Sequence, residues 1–486
     1  MSSPALGFSH LLSTNDPLSP DERQHARLQV ATLKKRLDDL RLLCREIESE
    51  VEEYHFLLSP WRDIPVEIIG IIFKFIIPPV VTAKTAKDLG NLRLVCKKWC
   101  DVADLTHQLW SSLEIDVRYQ PELPHKKLSS WLNKAGDLQR TLVVHGDLHR
   151  VGEPCRLAHP VLSRILAQGP AINTLKISFQ NAACFNRFTQ EIQSCVAQEE
   201  IPSRWHSISS LTLSLENLVI LERTPPTFPT SLTSLAVIVG SKPVYPSGDG
   251  LILGFIYPAV LERLIDFTFE CIRHDILPSI LPAIRHCLNT EVLTIIGGHQ
   301  DRQVRALQPF LQQGHDGERI FLPKLKTLRL GGPCSSLVPS VLETIQAPNL
   351  FHLDIDLSFA RDTRLTWLRA CYMCADGERL EDVVRPSTIP AANLACRTSL
   401  KQLRIRSAVM PYPATLLQIL VNLPSLVRLT LDDIVVDKNL DLGLSMEGQV
   451  LPTPLDGWPC IEVLELLGST KDYFANSPVM EVLVQS

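Results

Sequence analysis

The apolar positions change period twice along the chain, and each change marks a new region. From Asp21 to Leu58 there is no Pro and no Gly, charges are frequent, and small or apolar residues fall at Ala26, Val30, Leu33, Leu37, Leu40, Cys44, Ile47, Val51, Tyr54 and Leu58. The steps alternate between four and three residues, the repeat of a coiled-coil seam. The pattern predicts a helix over 22–58, capped by Asp21 after Pro20 and ended by Ser59-Pro60. Its stripe has two destinations: a second copy of the chain, by default in a parallel dimer, or the rest of the same molecule. Tyr54 is bulky for a seam and favours splaying of the last heptad. Residues 1–21, rich in Ser, Pro and Asn, read as a flexible tail.

Residues 61–115 form the next block. Pro65 suits the first position of a helix, where its missing N–H costs nothing, and Glu67 favours the positive helix end. The helix is apolar on nearly every side, with Val66, Ile68, Ile69, Ile71, Ile72, Phe73, Phe75 and Ile76, until Pro78-Pro79 stops it. A block of this size cannot bury that much surface alone, so a partner is implied. A second helical stretch carries Leu89, Leu92, Leu94, Val95, Trp99, Val102 and Leu105, and a third segment carries Leu109, Trp110 and Leu113.

Beyond Val117 a motif of three apolar positions spaced x-x and x keeps returning. It is centred on Leu175, Leu211, Leu235, Phe267, Leu293, Leu328, Leu353, Leu403, Leu429 and Leu464, at intervals of 36, 24, 32, 26, 35, 25, 50, 26 and 35 residues. Pro precedes many of these segments, as at Pro170, Pro323, Pro348, Pro424 and Pro459, and breaks the chain before a strand begins. Either a repeat array or an α/β domain with buried parallel strands accounts for the pattern.

Three segments in series carry a family resemblance. Ile64-Pro65-x-Glu67-Ile68-Ile69-x-x-Ile72-Phe73, then Leu92-Arg93-Leu94-Val95-Cys96-Lys97-Lys98-Trp99, then Leu109-Trp110-Ser111-Ser112-Leu113 resemble an F-box of the fungal type, with Ile64 in place of the usual Leu. The later motif resembles irregular leucine-rich repeats, without the Asn or Cys that usually follows the third apolar position. The resemblance implies a mixed α+β and α/β chain: a coiled-coil helix, a three-helix F-box, then a leucine-rich-repeat α/β solenoid over 116–486. It also implies substrate recognition in a Skp–cullin–F-box ubiquitin ligase. Ile64, Pro65, Ile68, Ile69, Ile72 and Phe73 would meet the Skp-type adaptor, while Trp99 and Trp110 hold the helices together. The repeats would hold an unknown protein substrate. The alternative is a scaffold that oligomerises without delivering a ubiquitylation substrate.

In a leucine-rich strand the apolar side chains point inward and the intervening ones to the concave side. The intervening residues are mild early, as at Thr174, Lys176 and Ser178. They become charged later, at Arg329, His352, Asp354, Asp356, Arg404, Arg406, Arg428 and Asp432. That set is the candidate substrate face, read by salt bridges. Its alternative is a face charged only for solubility.

Composition narrows the remaining classes. Net charge is −5 over 486 residues, which disfavours a dominant nucleic-acid surface. The longest apolar stretch, Ile68 to Ile77, is interrupted by Lys74 and is too short to span a membrane. The first twenty residues lack a basic region followed by an apolar run, and the 13 cysteines show no disulfide spacing. An intracellular protein, cytoplasmic or nuclear, is expected. Cys371-x-x-Cys374 has metal-like spacing but no second pair, Gly248-Asp249-Gly250 misses the dinucleotide spacing, and no phosphate-loop, hydrolase-elbow or zinc-protease motif exists. No catalysis and no cofactor are expected.

Overall fold

The computed structural model describes residues 17–58, 60–117, 125–146, 155, 157, 159–197, 203–216, 226–240, 255–271, 277–297, 319–332, 341–342, 344–356, 399–407, 409–410, 420, 423–436 and 459–468. Cys371, Cys374, Cys396 and the Gly248-Asp249-Gly250 segment lie outside these residues. The chain divides into two compact units, Met1–Phe73 and Lys74–Ser486.

The first unit opens with α1, Pro20–Leu57. The sequence pattern puts the cap at Asp21, but Ser19 takes that position. The Glu22 N–H donates to Ser19 Oγ at 3.3 Å, and the Ser19 N–H donates to a Glu22 carboxylate oxygen at 2.9 Å. This is a reciprocal capping box, with Pro20 at the first helical position. Asp21 and Glu22 then place two carboxylates in the first turn, where the helix dipole favours them. Seam residues Val30, Leu33, Leu37, Leu40, Ile47, Val51 and Tyr54 are exposed, and so are Leu28, Leu42 and Leu43 beside them.

α2, Val66–Ile76, follows a single 3-10 turn at Pro60–Arg62. Pro65 precedes the helix, and its carbonyl accepts the N–H groups of Ile68 and Ile69.

In the second unit Thr82 caps α3, Ala83–Arg93, through another capping box with Thr85. The single second helical stretch of the sequence pattern is two helices. α3 stops at Arg93, and α4 runs Lys97–Leu105 with Cys96 at its cap. A 3-10 turn at His107–Trp110 leads into β1, Ser112–Asp116. Leu113 therefore belongs to a sheet strand and not to a helix.

β1 is the first of twelve parallel strands that pair in strict chain order. They are joined by α5, His125–Asn133; α6, Pro160–Gln168; α7, Ala182–Ala197; α8, Pro258–Leu261; and α9, Leu277–Ile284. The early strands are β2, Thr141–His145; β3, Thr174–Phe179; β4, Ser210–Leu215; β5, Ser234–Val239; β6, Asp266–Cys271; and β7, Val292–Gly297. A short pair, β8 at Ile320–Phe321 and β10 at Ile345–Gln346, flanks β9, Thr327–Gly331, and precedes β11, His352–Asp356. β12 is Gln402–Arg406, β14 is Arg428–Asp432 and β16 is Val463–Leu467. A second short pair, β13 at Val409–Met410 and β15 at Val435–Val436, runs beside them.

Ten of these strands are the recurrences read from the sequence. β1 and β2 are additional. The register puts equivalent motif positions opposite one another throughout. Leu175 faces Leu211 and Leu142, and Leu403 faces Leu353 and Leu429. A parallel sheet in phase with its motif stacks each apolar row into one core, which also takes up Leu132, Ile165, Phe185 and Phe188 from the helices. Thr290 stands where the motif wants an aliphatic residue. It is fully buried, and its hydroxyl donates to the Leu264 carbonyl at 3.2 Å, which removes the penalty of burying it.

A further row of backbone bonds runs just ahead of the strands. Consecutive N–H pairs, such as Glu291 with Val292, Lys326 with Thr327, and Phe351 with His352, donate to a single carbonyl of the preceding strand's entry. This ladder satisfies backbone groups where each connection meets the sheet.

Candidate functional site

α2 presents an apolar surface in two parts. Ile69 and Phe73 are 1% and 0% exposed, and Gly70 between them is buried. They stand one turn apart, so one stripe of the helix is core. Val66, Ile68, Ile71, Phe75 and Ile76 are exposed, Phe75 at 86%. Of the residues expected to meet a partner, Pro65 and Ile68 are open, Ile64 and Ile72 are half-buried, and Ile69 and Phe73 are closed off within the chain. Phe75 and Ile71, which the motif reading did not choose, are open in their place.

In the second unit, Leu94 at 84% exposure, Val95 and Leu105 also face solvent at the ends of α3 and α4. Leu94 and Val95 sit in the break between those helices. Apolar side chains held out at a defined backbone corner are interface material.

Trp110 anchors a cluster of aromatic and charged side chains. It is buried, and its indole N–H donates to the Ala103 carbonyl at 2.7 Å. Trp131 of α5 meets its ring edge-on at 4.6 Å between centroids and 63° between planes. Lys134 Nζ stands 4.3 Å from the Trp110 ring centre, and the Arg93 guanidinium 5.5 Å from it. Asp104 joins the two cations, at 3.1 Å to Arg93 and 2.8 Å to Lys134. Burial pushes the Asp104 carboxyl up, but Lys134 and Arg93 outweigh it and hold the group below its usual range. Trp99 is half-buried on α4.

The charged residues of the late strands lie on one face of the sheet, opposite the core. Arg406 forks onto Asp354, at 2.8 and 3.2 Å, and reaches Asp356 at 3.5 Å. Arg404 bonds Asp432 at 2.8 Å. Thr430 donates to Glu465 at 2.8 Å. Arg329 and Arg428 are exposed, and among the described residues neither meets a carboxylate within ion-pair distance. His352 of β11 is half-buried. Burial first, then Arg329 and Arg404, lowers its pKa against the opposing pull of Asp354. The candidate substrate set therefore separates into a mutually ion-paired group, Asp354, Asp356, Arg404, Arg406 and Asp432, and a group outside that network, Arg329, His352 and Arg428.

Among the described residues, no cluster of His, Cys, Asp and Glu has the arrangement of a metal site, and no helix is long and apolar enough to cross a membrane. Cys96 and Cys100, one turn apart, are free thiols of intermediate exposure.

In comparison with protein families, residues 61–116 match the model of the F-box-like domain. No curated protein matches the chain.

Proposed function

We propose that this chain is the substrate-recognition subunit of a Skp–cullin–F-box ubiquitin ligase. Domains of the F-box-like kind typically bind Skp-type adaptors, and residues 61–116 supply that module. The observation that carries the reading is the solvent-facing apolar face of α2, with Ile68, Ile71, Phe75 and Ile76; in the second unit Leu94, Val95 and Leu105 are exposed as well. A module that leaves this much aliphatic and aromatic surface open needs a partner to cover it.

The twelve-stranded parallel sheet is then a leucine-rich-repeat solenoid whose outer face carries a protein substrate. The chain performs no bond chemistry. It holds a substrate lysine near a ubiquitin-charged enzyme, and the rate gain is that of proximity. The setting is intracellular, in cytoplasm or nucleus.

A second reading, an oligomerising scaffold outside any ligase, draws on the exposed seam of α1. Affinity capture of the full chain from cells treated with a proteasome inhibitor separates the two. The ligase reading expects both the Skp-type adaptor and a cullin in the complex. Adaptor without cullin supports the scaffold.

A further inference from the structure

A groove of about 320 Å³ lies between α3 and α5, over the Trp110–Trp131 pair. Its volume is at the lower end of the ~300–1,000 Å³ typical of small-ligand sites. Arg93 and Gly90 line it from α3. Lys126, Lys127 and Trp131 line it from α5, with Lys134 just beyond. Four cations thus surround one small concavity.

Their charge is only partly answered. Asp104 meets Arg93 and Lys134, and among the described residues no carboxylate comes within ion-pair distance of Lys126 or Lys127. Asp104 also fixes the two inner cations in place, while the Trp110 ring beneath them provides a further attraction for positive charge. Two inner cations are preorganised and two outer ones are free to close on a ligand. That arrangement suits a compact anion of more than one charge.

Gly90 bears on the shape of the same groove. A glycine in a helix interior weakens the helix, and it is usually kept where a neighbour leaves no room. Here a Cβ built on Gly90 would meet nothing within 4 Å. Packing does not require the glycine. Its lack of a side chain instead leaves the groove open on the α3 side.

We propose that this groove binds a phosphate monoester or diphosphate group, with Lys126 and Lys127 contacting the phosphate oxygens and Arg93 and Lys134 supplying the positive field beneath. The site involves neither the exposed face of α2 nor the outer face of the sheet, so it stands whether or not the ligase reading holds. The group can come from a free small phosphate or from a phosphorylated side chain of a protein.

Calorimetric titration of the purified full chain tests it with two probes: inorganic pyrophosphate, and a short phosphoserine peptide of otherwise uncharged residues beside its unphosphorylated twin. Binding of pyrophosphate alone assigns a free phosphate. Tighter binding of the phosphopeptide than of both its twin and pyrophosphate assigns a modified protein. In either case Lys126→Gln/Lys127→Gln should weaken binding by about tenfold or more, as loss of charge-assisted bonds does. Gly90→Leu, which fills the groove, should abolish it. The Lys pair is exposed, so unchanged thermal unfolding of that double variant is expected and separates lost binding from lost fold. Failure of both probes to bind at low salt, or binding that survives the double variant undiminished, overturns the proposal.

Discussion

Arg406 grips Asp354, 52 residues away in sequence, with two hydrogen bonds across neighbouring strands. In register Asp354 stands opposite Arg404, and Arg406 stands opposite Asp356. The strong bond is therefore a diagonal one, and Arg404 likewise passes over its own row to Asp432 on the next strand. Asp354 is closed off, its side chain 7% exposed, so this pair is part of the sheet and not a free reading head. Removing the Arg leaves a buried carboxylate unanswered. Arg406→Ala should cost about 2 kcal/mol or more of stability, and Arg406→Glu more. Urea unfolding measures both. Reversal of Arg404 and Arg406 is accordingly a stability experiment. A test of the substrate face belongs to Arg329 and Arg428, whose reversal should leave the unfolding midpoint nearly unchanged.

Arg140 ties α5 to the sheet. Its guanidinium donates to the carbonyls of Leu132 at 2.8 Å and Gly136 at 2.6 Å, while its N–H meets Asn173 Oδ1 at 3.0 Å. Arg140→Met keeps the aliphatic stem and leaves these carbonyls without their donor. A loss of about 2 kcal/mol is expected, together with faster amide exchange at the end of α5.

His352 gives a pH signature. Its folded pKa lies below the ordinary 6.5, so the unfolded chain takes up the proton first. Its contribution to stability is therefore complete above about pH 6.5 and is lost as the pH falls from there towards the folded value. Asp266 acts in the opposite direction, since burial raises its pKa and protonation favours the folded form. Comparing the wild type with His352→Gln isolates the histidine: the variant should lose stability less steeply as the pH falls below about 6.5.

The exposed seam of α1 makes its own prediction. Sedimentation of the full chain should show concentration-dependent self-association, and Leu37→Asp/Leu40→Asp should remove it. A species that stays monomeric at high micromolar concentration leaves α1 without a second copy.

The strand positions are legible because one motif of three positions in fixed spacing recurs ten times, apolar throughout except at Thr290, with Pro ahead of five of its copies. β1 and β2 lack that mark. Leu113-Glu114-Ile115 runs on directly from the preceding helical block, and three residues before Leu142 the motif's first apolar position holds Gln139. Side-chain roles are less legible. In α2 every face is apolar, so no period separates the core stripe of Ile69 and Phe73 from the open face of Ile68 and Phe75. In the late strands, charge at intervening positions marks the outer face. The register between β11, β12 and β14 follows the motif, but the diagonal bonds of Arg406 to Asp354 and of Arg404 to Asp432 depend on side-chain conformations that spacing does not encode. The cap of α1 shows the same limit at short range. Ser19 and Glu22 form the S-x-x-E pattern, but Asp21 is an equally good single cap until the backbone chooses.

The open face of α2 is the centre of the account, and one titration addresses it directly: binding of a purified Skp-type adaptor to the full chain and to Ile68→Asp/Phe75→Asp. Both side chains are exposed, so the variant should fold as the wild type does, which circular dichroism and thermal unfolding confirm alongside. Losing two large apolar anchors from an interface centre and introducing charge there should cost about 4 kcal/mol, roughly a thousandfold in affinity. A wild-type chain that binds tightly and a folded variant that does not is the predicted result. A folded variant that binds the adaptor as tightly as the wild type contradicts the account.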